Sequence, residues 1–344
     1  MAQCGRGDQF DRDDMVQSLI RELATGDLDI IGDVHGEIES LRALLDVLGY
    51  SADGSHSDGR HLVFVGDLVD RGPDSVGVVQ LVSDLVAAGT AQCLMGNHEL
   101  NLLRGERRTG NSWFFDNTDS ATQKTLVDFF SPLPVALERS GLQVVHACWH
   151  CNSIDLLRAQ QGSALEIYQQ YEAAALAALQ REGLEAAALE QQSKYTFLDP
   201  DNPPPMLDQL AHYWVRQQME NPVAVVMSGI EQVAEKPFWA NGKWRFVARV
   251  GWWNEYSGSD EVVVGHYWRS RFENHGFTDD TGLFGDARAT DPLGPDKRVM
   301  CIDYSIGQRA YEREQLGEGG SFKSALAAYR VNEHEPNTLV FSPV

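Results

Sequence analysis

The sequence lacks any long apolar run: no stretch of its 344 residues approaches the ~18 consecutive apolar side chains a membrane-spanning helix needs. It is short of bases, with 28 Lys and Arg against 50 Asp and Glu and a net charge of −22. Such a surface repels nucleic-acid backbones and anionic membranes, which argues against a polynucleotide groove or a membrane partner. A small phosphorylated substrate stays open, because bound cations reverse the field inside a single pocket. Cysteines are few and odd in number (Cys4, Cys93, Cys148, Cys151 and Cys301), and the opening MAQCGRGDQFDRDD lacks the apolar core of a secretory signal. Reduced thiols in a cytoplasm are the expectation, with Arg6-Gly7-Asp8 a string without adhesive meaning. Internal repeats and long low-complexity tracts are absent as well.

What is present is ordinary for a soluble globular chain: 43% hydrophobic and 23% charged residues. From Asp27 to about Met95, apolar strands alternate with amphipathic helices. Leu28–Ile31 precedes Ile38, Leu41, Leu44, Leu45 and Leu48 at helical spacing; His61–Val65 precedes Val76, Val79, Leu81, Val82 and Leu85; Ala91–Met95 follows. This alternation predicts an α/β fold with parallel pairing and a ligand crevice at the strand C-termini. Leu142–Ala147, Glu261–His266 and Val299–Asp303 predict further strands. Ile154–Gln192 predicts one or two helices broken near Gly183, and the prolines within Leu198–Met206 stop regular structure. Asn241-Gly242 between aromatic flanks predicts a hairpin over Phe238–Phe246, and a second is expected at the C-terminus. The expected division is an N-terminal extension over 1–26, a core of 27–150 and 260–344, and an inserted, mainly helical cap over 151–259.

Polar residues cluster where those strands end: GDVHG (Gly32–Gly36), GDLVDRG (Gly66–Gly72), GNHE (Gly96–Glu99), VVHA (Val144–Ala147) and VVVGH (Val262–His266). Carboxylates suit hard divalent ions, and imidazole suits iron, zinc and their neighbours. A pair of ions needs one bridging ligand and a separate set for each. Asp33 and His35 can hold one ion, Asp67 can bridge, and Asn97, His146 and His266 can complete the second. Arg71 offers a planar fork for phosphate oxygens. His98 is placed to protonate a leaving oxygen, with Asp70 to orient it and keep it charged.

These strings resemble the calcineurin-like metallophosphoesterases, and among them the phosphoprotein phosphatase branch with its GDxHG, GDxVDRG and GNHE. The match runs over about Asp29 to Arg104, with anchors at His146 and His266. The resemblance implies a β-sandwich flanked by helices and a dinuclear site for two divalent ions, manganese first, with iron, zinc, nickel or cobalt as alternatives. It implies Asp33, His35, Asp67, Asn97, His146 and His266 as ligands, Arg71 as phosphate clamp and Asp70–His98 as the acid. The implied reaction is in-line attack by a hydroxide shared by the metals, without a phosphoenzyme. A phosphorylated protein is the first expected substrate, as for bacterial serine/threonine protein phosphatases. The alternative is a small nucleotide, as for symmetrical diadenosine tetraphosphatases. Nucleic-acid end phosphatases come third, against the charge of −22. A catalytically inactive binding module would lack some of these residues, and none is missing. The chain departs from the family at Cys148-Trp149, at Tyr267, and over Ile154–Ser259, which matches nothing recognised.

Other features have plainer readings. Cys148-Trp149-His150-Cys151 has the spacing of a redox pair or half a zinc site, but without a second such pair buried thiols are expected. Phe238, Trp239, Trp244, Phe246, Trp252 and Trp253 could stack a nucleobase, though a hairpin core is the ordinary use. His56, His61, His150, His212, His275 and His334 are expected to be structural or superficial, Thr278-Asp279-Asp280 a solvated loop. Arg249 and Arg269 are the candidates for a second phosphate-binding arginine.

Overall fold

Leu28–Ile31 is buried at all four positions, the mark of a strand covered on both faces. A computed structural model of the chain, describing residues 18–240, 242–272, 282–317 and 320–344, shows why. In chain order the strands are β1 (Ile20–Glu22), β2 (Leu28–Ile31), β3 (His61–Phe64), β4 (Ala91–Cys93), β5 (Ala136–Arg139), β6 (Leu142–Val145), β7 (Glu231–Ala240), β8 (Lys243–Arg249), β9 (Glu261–Val264), β10 (Val299–Cys301), β11 (Ala327–Val331) and β12 (Thr338–Phe341). One sheet has the order β1-β5-β6-β9-β10 and a second β12-β11-β2-β3-β4, while β7 and β8 form a separate ribbon.

The two large sheets share an apolar layer. Ile30, Val63, Val144, Val263 and Met300 point into it from both sheets. Their neighbours Ile31, Phe64, Val145, Val262 and Val264 point the other way, towards the helices Ile38–Leu48, Ser75–Ala87 and Ser120–Phe130 among others. Period-two alternation therefore builds both layers at once. This is the expected α/β sandwich flanked by helices.

Parallel pairing positions the chemistry. β2-β3 and β3-β4 are parallel in one sheet, β6-β9 and β9-β10 in the other. Six strands thus deliver their C-terminal ends to one crevice, three from each sheet. At the far end, Asp29 is fully buried and accepts hydrogen bonds from Arg60 Nε at 2.9 Å, Arg330 Nε at 2.8 Å and the Tyr50 hydroxyl at 2.9 Å.

Several segments differ in detail from expectation. β1 lies inside the stretch taken as an N-terminal extension, yet pairs with β5 at the sheet edge. Residues 151–193 form three helices, Cys151–Arg158, Ala164–Arg181 and Leu184–Ser193; the expected break is at Gly183, whose φ of 74° suits glycine. With Asp208–Met219 and the β7-β8 ribbon, the last of these helices encloses a small core of Ala188, Leu207, Leu210, Ala211 and Phe246. The hairpin is as expected, with Ala240 opposite Lys243, and so is the C-terminal one, β11-β12. Cys4, Arg6-Gly7-Asp8, Asn241, His275 and Thr278-Asp279-Asp280 lie outside the described residues.

Candidate metal centre

Each string leaves its strand through a sharp turn. His35, Asp67, Asp70, Arg71 and His266 all have positive φ, between 48° and 74°, a region that costs a non-glycine residue about 1–3 kcal/mol. The turns hold one another in place. Asp67 carbonyl oxygen accepts from His35 N at 2.9 Å, His35 carbonyl from Gly72 N at 2.9 Å, and Gly110 carbonyl from Arg71 N at 3.2 Å. Glu99, fully buried, accepts from the backbone N–H groups of Asp67 at 2.9 Å, Leu68 at 2.8 Å and Gly96 at 2.9 Å. Burial and then Asp67 push Glu99 up to about 7, while those N–H groups favour its ionised form. Glycine is required where loops touch: a Cβ on Gly265 would stand 2.0 Å from Asp33 Oδ1, and one on Gly96 2.2 Å from Asp67 N.

The nine residues singled out from the sequence come together. Asp67 Oδ2 lies 3.4 Å from His146 Nε2 and 3.8 Å from the Nε2 atoms of both His35 and His98. Asp33 Oδ2 is 3.9 Å from His35 Nε2, Asn97 Oδ1 is 3.2 Å from His146 Nε2, and Asp33 Oδ1 accepts from His266 N at 3.1 Å. Donor atoms of His35, Asp67 and His98, and of Asp67, His146 and His266, lie within 4.8 Å of one another. His35 Nδ1 donates to Val69 carbonyl at 3.0 Å and His146 Nδ1 to Val65 carbonyl at 2.8 Å, so both rings turn Nε2 towards Asp67.

Electrostatics fit a cation-binding site. Asp33 is pushed up by burial and then by Asp303. Burial would raise Asp67 too, but His146 and His98 hold it well below the usual carboxylate range. His146 in turn is driven up to about 10: burial opposes this, but Asp67 prevails. His35 is lowered by burial and Arg71, His266 by burial and Arg249. Two divalent ions would relieve these imbalances. His266 Nε2 and Asp303 Oδ2 are buried without a hydrogen-bond partner, and the carboxylate and imidazole donors suit manganese, iron or zinc.

Beside the donors, His98 Nδ1 donates to Asp70 Oδ2 at 2.6 Å, and Trp113 Nε1 donates to Asp70 Oδ1 at 2.7 Å. Burial would lower His98, but Asp67 and Asp70 outweigh it and raise the imidazole, keeping it protonated to higher pH. The Arg71 guanidinium lies 4.5 Å from the Trp268 ring centre and makes no ion pair among the described residues. Trp113 and Trp268 carried no signal in the sequence. Asp303 did, since it ends Val299–Asp303 as Asp33 and Asp67 end theirs, and Glu99 stands inside the GNHE string.

The remaining candidates separate. Arg269 is buried and donates to the carbonyls of Cys301, Arg288 and Asp291, so its fork is committed to the backbone. Arg249 is exposed, 5.8 Å from the Tyr267 ring centre and close enough to depress His266. Cys148 is buried, but Cys151 is exposed at a helix start, and both are free thiols. The aromatic set does not act as one surface. Phe246, Trp252 and Trp253 are core residues, while Trp239 and Trp244 pair edge-on across the ribbon at 5.6 Å.

The motif-bearing part of the chain is similar to known proteins. The calcineurin-like phosphoesterase family model matches residues 27–182. The asymmetrical bis(5'-nucleosyl)-tetraphosphatase PrpE of Oceanobacillus iheyensis is 50% identical over 80 residues, 22% of this chain and 32% of that one. The symmetrical bis(5'-nucleosyl)-tetraphosphatase of Ralstonia nicotianae is 36% identical over 121 residues, 34% of this chain and 40% of that one. The matched stretches thus span only 32% and 40% of these relatives' own lengths. A serine/threonine phosphatase structure from Saccharomyces cerevisiae aligns over 96% of this chain and 84% of its own, at 11% identity and a TM-score of 0.48.

Proposed function

On the premise that the chain carries a calcineurin-like metallophosphoesterase domain, we propose that it hydrolyses phosphate ester or anhydride bonds with two divalent ions. The observation that carries this reading is the convergence of three Nε2 atoms on Asp67 Oδ2 within 3.8 Å, two of them with Nδ1 held by a backbone carbonyl. Asp33, His35, Asp67, Asn97, His146 and His266 would hold the ions, Asp67 being shared. When bound, such ions polarise a phosphoryl oxygen and lower the pKa of water.

The chain's own residues do the rest. Arg71, stacked on Trp268 and without a direct ion pair among the described residues, binds equatorial phosphate oxygens through its fork. Arg249 is the second arginine. His98 gives its proton from Nε2 to the leaving oxygen while Asp70 and Trp113 hold the ring in place. General-acid transfer of this kind contributes about 10²–10⁴ in rate.

Two substrate readings follow. A phosphomonoesterase acting on phosphoproteins is the first. A dinucleoside tetraphosphatase is the second, favoured by the names of the relatives that share the motif-bearing stretch. Metal-stripped protein titrated with manganese on a phosphopeptide and on diadenosine tetraphosphate tests both. Faster turnover of one selects that reading. Turnover of neither, with two manganese ions bound, leaves the metal site standing and defeats both substrate readings.

A further inference from the structure

Two turns at the C-terminal ends of β9 and β10 meet beside the proposed phosphate clamp. The first carries Tyr267, Trp268 and Arg269, of which Tyr267 and Arg269 are buried and Trp268 is half-buried. The second carries Asp303, Ser305 and Gly307. Arg269 N donates to the Asp303 carbonyl at 3.0 Å, and Ser305 Oγ donates to the Arg269 carbonyl at 3.1 Å, so the turns are tied together. The Arg269 guanidinium strengthens the tie through the carbonyls of Cys301, Arg288 and Asp291. Each turn then delivers one neighbour to Arg71. The Trp268 ring centre lies 4.5 Å from the Arg71 guanidinium carbon. Gly307 comes so near that a Cβ there would stand 2.9 Å from Arg71 Nη1 and 3.0 Å from its Cδ.

This packing leaves the hydrogen-bonding edge of Arg71 free. Its guanidinium forms no ion pair and donates no hydrogen bond among the described residues. Arginine on an aromatic ring is common in this chain. Arg104, Arg107, Arg269, Arg271, Arg309 and Arg313 also lie over rings, but each of them also donates its guanidinium to a carboxylate or a carbonyl. They use a ring in addition to a polar partner; Arg71 has a ring instead of one. Arg249 shares that state over the neighbouring Tyr267 ring, but it is exposed and 5.8 Å away. The difference matters chemically. A carboxylate would occupy two in-plane N–H groups of the fork, whereas an aromatic face attracts the cation from outside that plane and leaves every in-plane donor available.

We propose that Trp268 is the positioning residue of the phosphate clamp, its ring face holding the Arg71 guanidinium so that the free edge meets the phosphate. This role rests on the phosphoesterase reading of the centre. Trp268 acts through Arg71 and not on the substrate. The tied turns suit it, because a ring flanked by two buried residues has little freedom to leave the arginine. Gly307 suits it too, since a side chain there would displace Arg71 from the ring. Holding the fork ready removes the ordering cost that a flexible arginine meets on binding.

The test is a double-mutant cycle on the full chain loaded with manganese: wild type, Trp268→Leu, Arg71→Ala and the pair together. With Arg71 present, Trp268→Leu should lower kcat/KM for p-nitrophenyl phosphate about tenfold, the equivalent of ~1.4 kcal/mol, and raise the orthophosphate inhibition constant by a similar factor. In the Arg71→Ala background the same substitution should change either quantity by less than about twofold. Trp268→Phe keeps an aromatic face and should recover part of the loss. Two manganese ions per chain, read by atomic emission after gel filtration, should remain in every variant. Equal losses with and without Arg71 overturn the proposal, as does a Phe variant no better than Leu. Manganese lost from Trp268→Leu also overturns it, because Trp268 would then act through the adjoining His266. Absence of p-nitrophenyl phosphate hydrolysis by the manganese-loaded wild type would instead count against the phosphoesterase reading. Orthophosphate binding by calorimetry in the same four chains then decides the Trp268 role, and failure of the wild type to bind orthophosphate overturns that role as well.

Discussion

His98 Nδ1 and Asp70 Oδ2 are 2.6 Å apart in a nearly closed setting, and the other Asp70 oxygen is taken by Trp113. The carboxylate is thereby fixed in place and raises the imidazole, an arrangement suited to a proton donor.

Asp70→Asn removes that charge. The acid must be protonated to act, and Asp70 helps keep it so; its loss moves the alkaline limb of the kcat–pH profile to lower pH. With a poor leaving group such as an alkyl phosphate, kcat should fall by about 10²–10³. With p-nitrophenyl phosphate, whose leaving group needs little protonation, the loss should be much smaller. Equal losses on both substrates would remove His98 from the acid role.

Asp303 is buried with Oδ1 accepting from Ser305 N at 2.8 Å and Oδ2 unpartnered, and burial pushes it up to about 6. It also raises Asp33. Asp303→Asn preserves the shape and removes a charge that only a cation balances. The metal-free protein should melt about 1–3 °C higher in scanning fluorimetry. Manganese affinity should fall about tenfold or more by calorimetry. A lower metal-free melting temperature with unchanged affinity would make Asp303 purely structural.

Gly265→Ala places a methyl group where Asp33 Oδ1 stands, 2.0 Å away. The carboxylate must move. Bound manganese, read by atomic emission after gel filtration, should drop from two ions to about one per chain, with activity reduced at least ~10²-fold. Two ions retained at full occupancy would show that Asp33 is not a ligand.

Asp29 lies at the other end of the sandwich and reports on stability alone. Burial would raise it, but hydrogen bonds from Arg330 and Arg60 hold it below the usual range. A depressed carboxylate contributes stability that is complete above its unfolded pKa, about 3.9, and is lost as pH falls through the folded value. Asp29→Asn should therefore cost about 3 kcal/mol at neutral pH in urea unfolding, with the gap to wild type constant down to about pH 4 and narrowing below. A pH-independent gap would contradict the ion-pair account.

Much of this was legible in the chain itself. The β-branched runs ending in Gly-Asp, Gly-Asn-His or His specified strands that stop at polar turns, because period-two burial and glycine turns are local properties. Hence the β2–β4 layer, the two hairpins and the break at Gly183 could be read in advance, and the nine residues proposed for the site could be singled out before their proximity was known. What the sequence could not determine by itself was which side chains meet. Arg249 and Arg269 are equally plausible in one dimension, and only the packed structure commits Arg269 to three carbonyls and leaves Arg249 beside His266. Trp113 reaches Asp70 across 43 positions, and Trp252 and Trp253 vanish into the core rather than forming a stacking surface. Such pairings depend on how two sheets and a ribbon are brought together, and no local pattern encodes that distance. Composition and periodicity determined the elements and the chemistry of their ends; tertiary packing alone decided the partners, because burial and hydrogen-bond satisfaction act between segments remote along the chain.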